Sequence, residues 1–268
     1  MIETPQSFVV RQECDKVAFQ NGFRRTHGET DGWRHYSSTT AQGSIWLARD
    51  AADGWLLAID HGGVIEELGL AGVVVGGPGL ARYAFATLGE LYAQMPRVYQ
   101  LAASLPDAPL AKFHAKVKDL PTSTEAERLV VQRIGQDVFR SGLLEYWQGR
   151  CPLTGILDEP LLRASHIIPW KDSTSDAERL DVHNGLLLSA LWDAAFDRGL
   201  VSFDDAGQPL FSPALGEQAR SELRWQQPIA LTDKHRRRLA WHRIHIFSDS
   251  LPVHPNASLG QDTPAFRN

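Results

Sequence analysis

Hydrophobic and polar positions alternate in short runs through the first third of the chain and then change period. WRHYSS, SIWLAR and WLLAID, between Gly32 and Asp60, are aromatic and β-favouring runs set off by Gly, Asp and Thr, and they predict a small antiparallel sheet. AGVVVGG at 71–77 reads as one more buried strand. From Leu80 to Leu105 the apolar positions Leu80, Phe85, Leu88, Leu91 and Tyr92 predict a helical face. The residues before about Thr30 carry weak signals. LPDAPLAKFHAKVKDLP, over 105–121, holds three prolines and a lysine cluster and is the best boundary between two units.

Beyond that boundary, Thr124 and Glu127 have the spacing of a capping box ahead of Val130, Val131, Ile134, Val138 and Leu144, which predicts a long helix. Cys151-Pro-Leu-Thr-Gly turns the chain toward an apolar strand ending at Ser165 and His166. A polar loop rich in Asp, Ser and Thr follows, and Asn184 then opens an apolar helix. Leu200–Phe203 and Pro209–Ser212 flank an Asp-Asp-Ala-Gly turn, a second hairpin. TDKHRRRLAWHRIHIF, over 232–247, reads as a basic helix capped by Thr232, and the remainder, 248–268, as a loose tail.

The expected architecture is α+β. A small β-rich module at 1–105, which could recognise DNA, is followed by a linker at 106–123, a second domain at 124–247 and a tail. Composition supports a packed core, with 43% hydrophobic and 22% charged residues over 268 positions. The net charge of −5 excludes a uniformly basic coat for nucleic acid, so any phosphate contact must be local. With Cys14 and Cys151 alone, a four-cysteine structural zinc site is excluded and a disulfide framework is not expected. The N-terminus lacks the pattern of a signal peptide, and no apolar run approaches the ~18 residues of a membrane span, so a cytoplasmic location without membrane partners is expected.

The candidate chemistry lies at 161–199. On a helix, Asp193 and Asp197 project from one face, and His166 arrives on a neighbouring strand. Two carboxylates form a hard-metal site, and a neutral imidazole beside it can take a proton from water.

Ser-His, a later Asn, and acidic residues nine and thirteen positions after that Asn resemble the HNH nucleases, whose ββα-metal motif packs a hairpin against a helix around one divalent ion. CPLTGILDEPLLRASHIIPW with LDVHNGLLLSALWDAAFDRGLVSFDDAG is similar to the branch common in bacterial restriction and defence proteins, and the likeness runs from about Thr124 to Phe247. It implies hydrolysis of DNA phosphodiester bonds, with His166 as base, Asp193 and Asp197 as metal ligands, and Asn184 as the residue that orients His166. Asn184 could instead serve only as a helix N-cap. Many relatives carry a third ligand where this chain has Ser165, a poorer donor. Oxygen ligands favour Mg²⁺ or Mn²⁺.

Arg133, Arg140, Arg163 and Arg198 are candidates for gripping phosphate, or else for surface ion pairs. Arg236, Arg237, Arg238 and Arg243 form a dense positive face on the last helix, where backbone phosphates could dock. Trp33, Tyr36, Trp46 and Trp55 could stack on bases or fill a small β core. The partner implied is double-stranded DNA, with a homodimer expected if both strands are cut. The alternatives are a DNA-binding protein with an inactive nuclease fold and a nonspecific, toxin-type nuclease.

Overall fold

The computed structural model describes residues 2–247; the tail expected at 248–268 lies outside them. The fold is α+β. It opens with a helix the sequence pattern did not reveal, α1 (Phe8–Gln20), N-capped by Ser7. Val10, Cys14, Val17 and Ala18 are buried while Phe8 and Val9 face outward, so apolar residues lie on both sides and blur the helical period.

Five strands follow in a meander: β1 (Arg25–Thr30), β2 (Trp33–Ser37), β3 (Ser44–Arg49), β4 (Trp55–Ile59) and, beyond the short helix α2 (Gly62–Leu68), β5 (Ala81–Phe85). All neighbours are antiparallel. Period-two alternation divides the sheet's side chains between two faces. Tyr36, Ile45, Leu47, Trp55, Leu57, Ile59 and Tyr83 enter the main core, whereas Trp33, Ala48, Leu56 and Ala58 form a small second cluster with Ile2, Trp46 and Val75. Tyr36 and Trp55 are therefore core residues. Trp33 is also buried, and only Trp46 is partly open, stacked on His35 at 4.6 Å.

Two expectations change here. AGVVVGG is not a strand, and Val74 is fully exposed. The edge strand is β5, inside the stretch read as helical, because Thr87 caps α3 (Leu88–Ser104) by accepting from the Glu90 N–H and so starts the helix late. The expected linker is also largely helical. Its prolines at 106 and 109 sit at the N-terminal end of α4 (Asp107–Val117), where a missing N–H costs little, and α4 buries Phe113 against the next helix. One continuous core runs from α1 through α3 into the C-terminal half, across the boundary drawn from composition.

The helix α5 (Glu125–Tyr146) opens with the full capping box of Thr124 and Glu127. Its buried stripe is Val138, Phe139, Leu143 and Tyr146 with Gly135 and Gly142; Val130 is exposed. Against α5 lie β6 (Leu162–His166), α6 (Asp176–Leu180) and β7 (Gly185–Ser189), and α7 (Ala190–Asp197) packs on the β6–β7 hairpin. β6 and β7 are antiparallel, with His166 opposite Gly185 and Ser165 opposite Leu186. The apolar run after Asn184 is thus a strand at its start. A short buried apolar run has no period that separates strand from helix, and pairing with β6 decides the outcome. Asn184 closes a 3-10 turn (Val182–Asn184), while Ser189 is the residue before α7, so the helix-cap role for Asn184 is not what the structure contains.

The second hairpin, β8 (Val201–Phe203) and β9 (Pro209–Phe211), forms as expected. After α8 (Glu217–Glu222), the chain ends its described part in α9 (Asp233–His245), capped by Thr232 with His235. Cys151 is fully buried at the turn before the β6–β7 hairpin, and Cys14 is free and buried under the sheet.

Candidate nuclease site

The shape of α7 separates its apolar and acidic residues. Trp192, Ala195 and Phe196 are buried, and Asp193 and Asp197, one turn apart, share an adjoining face. Ser165, on β6, donates its hydroxyl to Asp193 Oδ1 at 2.5 Å and pins the start of this face to the hairpin. The Asp197 carboxyl is pushed up to about 6, chiefly by crowding away from water and next by the negative charge of Asp193, with Arg198 acting against both. An acidic pair whose charges repel to that extent fits a hard cation that keeps several of its waters. Ser165 is already hydrogen-bonded to one of these carboxylates, and the described residues hold no cluster of three His, Cys, Asp or Glu side chains placed to enclose an ion.

His166 leaves β6 one residue later, and strand alternation turns its ring toward α5 rather than α7. The ring stacks on Phe139 at 3.8 Å and meets Trp170 edge-on at 5.8 Å. Nε2 lies 2.9 Å from the Arg179 carbonyl, which can only accept, so Nε2 carries the proton and Nδ1 keeps its lone pair. Burial lowers the imidazole pKa from its ordinary value, and the ring is neutral at pH 7. Glycine at 185 is what permits the stack, because a Cβ there would overlap the Phe139 ring and crowd Leu143. Gly135 likewise leaves room for Trp170.

Asn184 is fully buried and joins three segments. Its Oδ1 accepts from the Ile168 N–H at 2.9 Å, and Nδ2 donates to the carbonyls of Ile168 (3.1 Å) and Glu178 (3.3 Å). It therefore fixes the chain just after His166. Arg179 does similar work on the polar loop: its guanidinium donates to the carbonyls of Trp170 and Ser173, pairs with Asp176 and lies over the Trp170 ring at 5.5 Å. Neither Phe139 nor Arg179 was singled out from the sequence. Phe139 sits in the buried stripe of α5, a signal that marks it as core, and a lone arginine in a polar loop carries no signal at all.

The arginines divide. Arg236 donates to the Asp205 carbonyl and Asp233, Arg238 to Asp181 and the Lys234 carbonyl, and Arg243 to the Phe203 carbonyl and Asp205. Arg140 holds the carbonyls of Leu162 and Glu159. On the face expected to be densely positive, three of the four arginines of α9 thus carry an acidic partner within the chain. Arg237, Arg133 and Arg198 are exposed and have no ion-pair partner among the described residues, and Arg163, also exposed, reaches the nearby Pro160 and Leu162 carbonyls.

A two-stranded hairpin runs into a helix, with an imidazole at the end of the first strand, an asparagine tying the loop and carboxylates on the helix. Residues 151–204 match the HNH endonuclease family model, and that stretch contains Ser165, His166, Asn184, Asp193 and Asp197. No curated protein matches the chain.

Proposed function

We propose that the protein is a Mg²⁺- or Mn²⁺-dependent HNH endonuclease that hydrolyses double-stranded DNA. Asp193 and Asp197 would hold the ion, and Ser165 braces Asp193. A bound ion would stabilise negative charge on the scissile phosphate and the departing oxygen. His166 accepts the proton of the attacking water at Nδ1, while the Arg179 carbonyl holds its other nitrogen protonated and Asn184 holds the backbone that presents it. Among the arginines singled out from the sequence, Arg133, Arg163, Arg198 and Arg237 are the ones whose charge has no ion-pair partner among the described residues, and these meet the phosphates. The observation that carries this reading is the hairpin-and-helix order itself, with a neutral, tautomerically fixed His166 on the first strand and an unbalanced carboxylate pair on the helix, within the stretch that matches the nuclease family.

A role in restriction, with the N-terminal sheet selecting the target, extends the reading, and among Trp33, Tyr36, Trp46 and Trp55 it is Trp46 whose side chain is partly open. No helix among the described residues is long and apolar enough to cross a membrane; we place the protein in the cytoplasm and expect a homodimer for cutting both strands. The second reading, a DNA-binding protein with an inactive fold, is favoured by one observation, the engagement of Ser165 with Asp193 where a third ligand would stand.

Incubation of the purified chain with plasmid DNA separates the two. Cutting with Mg²⁺ or Mn²⁺ that is stopped by EDTA and lost in His166→Ala supports the nuclease. Retention of DNA without cutting under any divalent ion supports the inactive fold, and a smear of fragments would indicate a nonspecific enzyme.

A further inference from the structure

Immediately before Asn184 stands a histidine to which the nuclease chemistry assigns nothing. The His183 side chain has no exposure to solvent, and both ring nitrogens meet carboxylates. Nδ1 is 2.7 Å from Asp181 Oδ1, at the head of the same turn, and Nε2 is 2.5 Å from Glu67 Oε1, which comes from α2 in the N-terminal unit, 116 residues away in sequence. A carboxylate offers only acceptors, so a ring bonded to one at each nitrogen must donate from both, and His183 is an imidazolium. Asp181 Oδ1 also accepts the His183 backbone N–H at 2.9 Å, its carbonyl accepts the Asn184 N–H at 2.8 Å, and its other oxygen holds Arg238 of α9. The turn that carries Asn184 is therefore gripped from three sides: by its own Asp181, by α9 and by the N-terminal unit.

We propose that His183 is a positioning residue, and that Glu67 of the N-terminal unit, by holding it, sets the turn that places Asn184 and through it the base His166. The inference rests on the nuclease reading for its catalytic consequence. It makes the N-terminal unit a structural part of the cutting machinery as well as a candidate reader of DNA.

The groups packed on the ring are consistent with a single paired cation there. Tyr146 of α5 meets it edge-on at 5.6 Å, and its hydroxyl favours the ionised form of Glu67. Arg97 of α3 lies over the Tyr146 ring at 5.4 Å and donates to its carbonyl. His235 of α9 stands at 5.2 Å with Nε2 buried and unpartnered, and burial with the charge of His183 keeps it neutral, down at about 3. Desolvation works against the charge on His183, but hydrogen bonds to Asp181 and Glu67 and their charges outweigh it and raise its pKa. A raised histidine pKa keeps this link intact at low and neutral pH and releases it as pH rises through the folded-state value.

Glu67→Gln tests the proposal. The amide keeps the shape and can accept from Nε2, but one of the two anions is gone, so His183 should lose its proton at lower pH. In the full chain we expect the alkaline loss of cutting to move down by about one pH unit, the effect of one neighbouring carboxylate, with kcat reduced and KM for DNA unchanged. A purely structural contact would lower the melting temperature and leave the pH profile in place. Independently of cutting, exchange of the Ile168 amide, which donates to Asn184, should quicken in Glu67→Gln above neutral pH and match the parent at pH 6. If neither the pH profile nor the Ile168 exchange responds, the proposal is wrong. If the exchange responds but the parent protein cuts no DNA, the positioning link stands and the nuclease reading fails.

Discussion

Removing the side chain of Asn184 offers a direct test of how the site is held together. Asn184→Ala strands the buried Ile168 N–H, bonded at 2.9 Å in the parent, removes one of the two donors to the Ile168 carbonyl, which keeps the Ser173 hydroxyl, and drops a longer bond to the Glu178 carbonyl. A buried polar group left without a partner costs about 1–3 kcal/mol, so the stranded N–H predicts a loss of about that size, a substantial share of the ~5–15 kcal/mol that holds a typical domain folded. Urea unfolding at pH 7, with the slope unchanged and the midpoint lowered, measures it. The consequence for chemistry is separable. Ile168 is two residues from His166, and a shift of about 1 Å at a base lowers turnover by roughly 100-fold. Plasmid cutting at 15 °C, where the variant is still folded, should show that loss with DNA affinity retained. Asn184→Asp should fare no better, since it keeps the acceptor for the Ile168 N–H but turns a carboxylate oxygen on the Ile168 carbonyl. A variant at 184 that unfolds within about 0.5 kcal/mol of the parent and cuts at the parental rate would refute the assigned role.

Two further expectations concern the ion and the phosphates. Because the Asp197 carboxyl is pushed up to about 6, protons and metal compete for it, and calorimetric titration with Mn²⁺ should show affinity rising about tenfold from pH 5 to pH 7 with proton release. An acid with a raised folded-state pKa contributes stability below its unfolded value near 3.8 and loses it as pH rises through about 6, so Asp197→Asn should raise the metal-free melting temperature at pH 7.5 while abolishing Mn²⁺ binding; pH-independent binding would contradict the pairing. Arg237→Ala should weaken DNA binding and lower the salt dependence by about one counterion without loss of stability, whereas Arg238→Ala, which uncouples the half-buried Asp181, should act on melting first; identical behaviour of the two variants would overturn the division of α9 into free and committed guanidiniums.

Local rules made much of this protein legible. The capping box at Thr124, the β8–β9 hairpin, the core strands of the first sheet and the one-turn spacing of Asp193 and Asp197 depend on neighbours in sequence, and all four are present in the fold. The charge of the arginines on α9 was equally plain, but whether that charge is available to DNA was not. It depends on Asp205, Asp181 and the Phe203 carbonyl, which approach only when distant segments pack. For the same reason the run Gly185–Ser189 had no readable state: a wholly buried segment has no solvent face to impose a period, and the pairing with β6 makes it a strand. His183 passed unnoticed because its meaning lies in Glu67, a residue of the other half of the chain. Sequence determined which chemical groups exist and how far apart they fall on one element. Tertiary structure decided which of them are neutralised, which are neutral by burial and which remain free, because desolvation and partner charge are properties of the packed environment and not of the residue.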